Sequence, residues 1–221
     1  MTASPFLLQP VPAVADAGAV AALQDIVVSH LSDNLQRLSG ITGLRRIHRA
    51  RKLVGTAFTV KTRPGDNLLI YKALTLMQPG HVLVVDGGGE TSNALVGELI
   101  MLYAQQRGCV GFVLDAAVRD TAAFEAADFP CYARGVSHRG PYKTGPAQMN
   151  VPVSIDGQVI HPGDLIVGDE DGIVSFPQAQ TAMLIEAARK TAATEEGIKA
   201  EIANGKVEQV WLDKVLKPFS L

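Results

Sequence analysis

The chain has 221 residues, of which 47% are hydrophobic and 19% charged, with a formal net charge of −2. Its length suits one domain, or one domain with a helical extension, and its composition is that of a folded α/β protein rather than a disordered chain. The near-neutral balance leaves no source for the electrostatic attraction that drives nucleic-acid binding, and no apolar run is long enough to span a membrane.

The N-terminus has no basic stretch followed by an apolar core, so no signal peptide is predicted and a cytoplasmic, reduced setting is expected. Over 17–38, Val20, Leu23, Ile26, Val27 and Leu31 recur at helical spacing, and Ser32-Asp33-Asn34 ends or redirects the helix. The dense basic segment Arg45-Arg46, Arg49 and Arg51-Lys52 reads as a solvated connection. A strand follows over 54–62, Pro64-Gly65 lies past its end, and Asp66 and Asn67 cap a helix running through Ala73 and Met77. Pro79-Gly80 stops that helix. The run Val82-Leu83-Val84-Val85 then predicts a strand ending in a glycine-rich loop, Asp86-Gly87-Gly88-Gly89.

Residues 99–106 read as a helix closed by Arg107-Gly108, and 110–114 as the next strand. Cys109 and Cys131 belong to no Cys-x-x-Cys or Cys/His cluster, so no structural zinc is expected, and Cys109 reads as a small buried hydrophobe. After Asp120 come a short helix over 121–127, a strand around Tyr132, and a loop over 137–148 whose His138, Arg139 and Lys143 read as exposed. A hairpin with an Asp156-Gly157 turn spans 151–160, and a second hairpin flanks Gly168-Asp169-Glu170-Asp171-Gly172. That acidic turn lacks the spacing of a calcium loop. A long helix covers about 178–204, and the tail 207–212 has no clear partner in the pattern.

The order strand, glycine-rich segment, helix, strand places Glu98 at the start of a helix and Arg119-Asp120 just past the second strand, twenty residues intervening. Such a unit brings a carboxylate at the helix start close to residues beyond the second strand. Two carboxylates and a guanidinium together suit a divalent cation and a small anionic substrate. Gly97 before Glu98-Leu99-Ile100 has two equal readings: a helix N-terminus whose free N–H groups bind an anion, or a glycine that only permits close packing in a helix that starts earlier, near Ser92. Taken alone, Arg119-Asp120 is an ordinary surface ion pair.

Gly97-Glu98 … Val118-Arg119-Asp120, with Gly65-Asp66-Asn67, Gln78-Pro79-Gly80, Asp86-Gly87-Gly88-Gly89 and Pro162-Gly163-Asp164 … Asp169-Glu170-Asp171-Gly172, resembles the class II 4-hydroxy-4-methyl-2-oxoglutarate aldolases. That family also holds the RraA-type regulators of ribonuclease E. The resemblance runs from about Ala22 to about Gly205. One departure is Glu98, where the family motif often has Asp, so the carboxylate stands one methylene further out.

The resemblance implies an α/β fold, a layered central sheet or partial β-barrel flanked by helices, in a single RraA-like domain. It implies a homotrimer or homohexamer whose C-terminal helix packs on a neighbouring subunit. It implies a class II pyruvate aldolase using Mg2+ or Mn2+ held by Asp120, with an oxaloacetate decarboxylase side activity. The small oxo-acid substrate would rest on Gly97, Glu98, Leu99, Ile100 and Arg119, with Glu98, Arg119 and Glu195 catalytic. Glu195 would reach a neighbour's site; a shift of one residue would place Glu196 there instead. On residues alone both are a solvated helix face. The competing readings are a regulator-type protein of the same fold, and a metal-dependent hydrolase or isomerase of another oxo acid.

Overall fold

The computed structural model describes residues 4–219. Four strands, β3 (Leu53–Thr62), β4 (His81–Val96), β5 (Gly111–Val118) and β6 (Cys131–Val136), run parallel and side by side. Their residues are almost wholly buried where they pair, as parallel strands covered on both faces must be. β2 (Arg45–Arg46) closes one edge against β6. On the other, β7 (Ala147–Met149) pairs with the end of β3, and β1 (Phe6–Leu8) pairs with β7. The beginning of β3 pairs instead with β10 (Leu165–Asp169), which forms a hairpin with β11 (Gly172–Phe176). The result is a nine-stranded, mixed, open sheet with a separate hairpin of β8 (Val153–Ile155) and β9 (Gln158–Ile160). This is the layered α/β architecture the resemblance implies, without closure into a barrel.

Helices α3 (Leu68–Leu74), α4 (Glu98–Gln106) and α5 (Thr121–Ala127) cover one face of the parallel strands. Phe112 meets Phe124 and Phe129 there edge to face, with centroids 6.2 and 4.9 Å away. On the other face Val82, Val84, Val113 and Tyr132 pack on Ile155, Ile160, Ile166 and Ile173. A third cluster joins β10 and β11 to α1 (Ala17–Gln24), α2 (Val28–Asp33) and α6 (Thr181–Ala203) through Leu23, Leu31, Val167, Val174, Leu184 and Ala188. The last helix, α7 (Val210–Leu216), falls where the sequence shows no partner. No helix among the described residues is long and apolar enough to cross a membrane.

Three local expectations differ from the structure. The helical pattern over 17–38 is two short helices, because Val27 is extended (φ −67°, ψ 146°) and Gln36 and Arg37 take positive φ. Asp169 Oδ2 accepts the Val28 N–H at 2.7 Å and starts the second helix. The glycine-rich segment 86–89 is not a loop but part of β4, whose register on β5 shifts after Asp86, Glu90 and Ala94. Gly88 and Gly89 sit at φ 68° and 70°, the left-handed conformation that lets the strand bulge and continue. The segment 137–148 ends in β7 and is bridged at Tyr142 to Asp66.

Candidate active site

The bulges in β4 carry the site. After them Val96 pairs with Val118, so the next residues on each strand, Gly97 and Arg119, emerge side by side. Gly97 is extended and serves as the cap of α4; the first intrahelical bond runs from the Met101 N–H to the Gly97 carbonyl at 3.1 Å. The N–H groups of Glu98, Leu99 and Ile100 therefore have no helical partner. Asp120 Oδ2 takes the first of them at 3.1 Å and lies 3.5 Å from Arg119 Nε. The N–H groups of Leu99 and Ile100 stand at the positive end of the helix dipole, and both residues line a cleft.

Asp120 sits at φ 57°, ψ 40°, a left-handed conformation costing a non-glycine residue about 1–2 kcal/mol. Its own carbonyl accepts the Ala123 N–H, so the same residue starts α5 and presents its carboxylate to α4. A Cβ at Gly97 would lie 2.4 Å from Asp120 Oδ2 and 2.9 Å from Arg119 Cγ. The helix starts at Glu98 rather than earlier near Ser92, and the missing Cβ at Gly97 leaves room for the Asp120 carboxylate on the helix N-terminus.

Arg119 stands between two depressions. One is a narrow cleft lined by Gly97, Leu99, Ile100, Asn67, Tyr71 and Lys143; the other, more open, is lined by Asp120, Val136, Ser137 and His138. The structure brings together Gly97, Glu98, Leu99, Ile100, Arg119 and Asp120. Glu195 lines neither depression; its Oε2 lies 2.9 Å from His30 Nε2. The first half of α6, with Leu184 and Ala188 buried, is packed within its own chain, while Glu196 pairs only with Lys199 one turn on.

Two lining residues, Asn67 and Lys143, are read from the sequence only as a helix cap and an exposed loop residue. Asn67, 2% exposed, does not cap α3 with its side chain; its Nδ2 donates to the Leu95 carbonyl at 2.8 Å and its Oδ1 has no partner. Lys143 holds its ammonium 5.5 Å from the Tyr71 ring centroid. The loop bearing Lys143 leaves His138, Arg139 and Lys143 exposed, as expected, but is pinned at its base. Asp66 Oδ2 accepts the N–H groups of Thr144 and Gly145 and the Thr144 hydroxyl, and its Oδ1 accepts the Leu68 N–H.

Burial pushes the Asp66 carboxyl up, but these hydrogen bonds outweigh it and hold its pKa below the usual value. A depressed carboxyl stabilises the fold above about pH 4 and loses that contribution as pH falls through the folded pKa. Asp66→Asn is expected to destabilise by about 2–4 kcal/mol, because the amide has one acceptor oxygen and must turn its NH2 to either the Leu68 N–H or the loop N–H groups, and to flatten the acid limb of stability. Urea unfolding from pH 3 to 7 measures both; an unchanged midpoint at pH 7 contradicts the pinning role.

Other candidates resolve as structural. Cys109 and Cys131 are buried and free; burial pushes the Cys109 thiol up to about 12 and raises Cys131 further, so neither is a ready nucleophile. Asp169 is spent on the Val28 and Asp171 N–H groups, a turn anchor rather than a calcium ligand. Among the described residues no group of three or more His, Cys, Asp or Glu is placed to hold a metal. Asp120 still offers one hard oxygen, Oδ1, on a half-exposed side chain, next to the solvent-exposed Glu98. One anionic oxygen with the remaining positions open suits a dication that keeps its waters.

The description RraA-like, Aldolase/RraA, matches residues 21–175, the stretch that contains the whole β4–α4–β5 unit. The chain belongs to the RraA-like family. A relative from Halalkalibacterium halodurans, bearing the name "Putative 4-hydroxy-4-methyl-2-oxoglutarate aldolase", is 36% identical over 190 residues, 85% of this chain and 90% of that protein. Among solved structures, an uncharacterized protein from Pseudomonas syringae superposes with a TM-score of 0.75 at 28% identity, covering 89% of this chain and 96% of that one. The RNA-processing inhibitor RraA from Thermus thermophilis superposes at 0.64 and 29%, covering 69% and 93%. The RraA-like family thus joins an aldolase name and an inhibitor name on one fold, and the site must decide between them.

Proposed function

We propose that this RraA-like protein is a divalent-metal-dependent class II pyruvate aldolase. It cleaves 4-hydroxy-4-methyl-2-oxoglutarate or a related 4-hydroxy-2-oxo acid to pyruvate, and decarboxylates oxaloacetate as a side reaction. The observation that carries this reading is the Asp120 carboxylate seated on the Glu98 N–H beside Arg119, the residue that also borders the cleft lined by Gly97, Leu99 and Ile100. Glu195 favours the aldolase over a regulator of the same fold, because the regulators tend to lack that C-terminal acid.

Asp120 would hold Mg2+ or Mn2+, which would supply Lewis acidity for the developing negative charge. Arg119 grips the substrate's carboxylate with its guanidinium fork, and the Leu99 and Ile100 N–H groups bind the same end. Lys143 adds a second cation to the cleft. Glu98 holds a water that takes the proton from the 4-hydroxyl; the C3–C4 bond breaks, its electron pair passes to C3 as the pyruvate enolate, and C4 leaves as a carbonyl. Protonation at C3 gives pyruvate. Oxaloacetate loses CO2 to the same enolate, which accounts for the side activity. No lysine Schiff base is required.

Leu99, Tyr103, Val136 and Tyr142 expose apolar surface around this site. A neighbouring subunit of a trimer or hexamer would cover it and bring its own Glu195 as the remaining acid. Assay of the purified protein with oxaloacetate and with 4-hydroxy-4-methyl-2-oxoglutarate, with Mg2+ or EDTA, tests the reading. Metal-dependent pyruvate formation from both is expected; none from either acid with Mg2+ or Mn2+ overturns it in favour of a regulator. Arg119→Lys keeps the charge and loses the fork, so kcat/KM should fall about 10- to 100-fold, about 1.5–3 kcal/mol. An unchanged kcat/KM would leave Arg119 a surface ion pair.

A further inference from the structure

Leu184, Ala188, Thr191 and Glu195 recur at spacings of four and three along α6 and form the stripe that faces the body of the chain. Leu184 and Ala188 are buried against α1 and α2; past Glu195 the helix is exposed. Glu195 is therefore the last inward residue before the helix leaves the body. Packing does not call for a carboxylate there. What meets it is His30, whose side chain is 14% exposed while that of Glu195 is 44% exposed.

His30 is itself tightly placed. Its helix α2 starts on the Asp169 carboxylate, buries Val28 and Leu31, and ends where Asn34 Nδ2 donates both to the His30 carbonyl at 2.8 Å and to Thr191 Oγ1 at 3.0 Å. One turn separates Thr191 from Glu195, so the two contacts fix both the helix and the rotamer of the acid. Glu195 Oε2 is taken by the imidazole, and the side chain stays 44% exposed. Glu196, by contrast, is tied only to Lys199 of its own helix. A long flexible carboxylate gains a defined direction only when a rigid donor outside its helix holds one oxygen.

We infer that His30 is a positioning residue that aims the Glu195 carboxylate out of its own chain. The inference rests on the proposed role of Glu195 in a neighbouring site. It distinguishes Glu195 from Glu196 and makes α2, remote in sequence from the site motif, part of the reaction machinery.

A double-mutant cycle on the full-length, metal-loaded protein tests it, with pyruvate formation from oxaloacetate as the readout and thermal unfolding in parallel. His30→Ala is expected to lower kcat about tenfold with KM within twofold, and His30→Gln, whose amide can donate at the same place, to restore most of it. In the Glu195→Gln background His30→Ala should cause no further loss, since the group it positions is gone. A loss of the same factor in both backgrounds, or equal losses in His30→Ala and His30→Gln, means that His30 only stabilises the α2–α6 packing and overturns the inference. Wild-type kcat in His30→Ala, with Glu195→Gln impaired, also overturns it while leaving the aldolase reading intact. Absence of metal-dependent turnover in the wild-type protein rejects the aldolase reading, and the role of His30 with it.

Discussion

Asp120→Asn is expected to lower metal-dependent turnover by about a thousandfold, about 4 kcal/mol of barrier, with the fold unchanged. The variant separates charge from shape. Asparagine tolerates the left-handed conformation that Asp120 occupies, and its carbonyl oxygen can accept the Glu98 N–H that Asp120 Oδ2 accepts now at 3.1 Å. The exchange removes the anionic oxygen, and a neutral amide is a poor ligand for a hard dication. Steady-state rates over a Mg2+ titration, with unfolding curves alongside, check the prediction. Wild-type rates at limiting Mg2+ would remove Asp120 from the metal site. A collapse in stability would instead show that the charge serves the fold.

Gly97→Ala is expected to cost about a hundredfold in kcat/KM while shifting the unfolding midpoint little. The backbone at Gly97, φ −153° and ψ −166°, is extended and open to any residue, so alanine brings no strain of its own. What it brings is a methyl group 2.4 Å from Asp120 Oδ2 and close to the Arg119 stem. Both contacts are side-chain atoms at the surface, which can swing away. The carboxylate then leaves the Glu98 N–H and the guanidinium loses its placement, and a displacement of about 1 Å in such a site costs about 10²-fold. Paired kcat/KM and thermal measurements decide the matter. Unimpaired turnover would mean that Gly97 merely fills space at the helix start, and a large loss of stability would place it in the core.

How much of this molecule is legible in the chain depends on the range over which each feature is encoded. Helix α5 runs from Thr121 to Ala127 as expected, because start and stop signals act within a few residues. The turn at Asp156 and Gly157, with φ 52° and 79°, follows directly from residues that tolerate positive φ. The motif Gly97-Glu98 … Arg119-Asp120 also holds together, because a strand–helix–strand unit of that length leaves its ends little choice of where to meet.

Features that depend on which surfaces meet were beyond the local pattern. Three glycines in a row specify freedom of φ, which serves a loop and a bulged strand equally; only the presence of β3 and β5 on either side makes 86–89 part of a strand. Leu7 and Leu8 become strand β1 only because β7 has an edge to offer. The Lys143 loop carries charged and turn-forming residues that suit solvent, yet Asp66, 78 residues away from Thr144, holds it over the cleft. His30 and Glu195, 165 residues apart, meet because apolar stripes on α2 and α6 bury against the same strands. Sequence by itself determined the family, the parallel unit and the start of α4 beside Arg119-Asp120, all set by periodicity, conformational preference and short-range capping. Only the tertiary structure decided which long-range polar partners steer that end, since apolar burial sets the helix and strand directions and the polar contacts follow from where those elements come to rest.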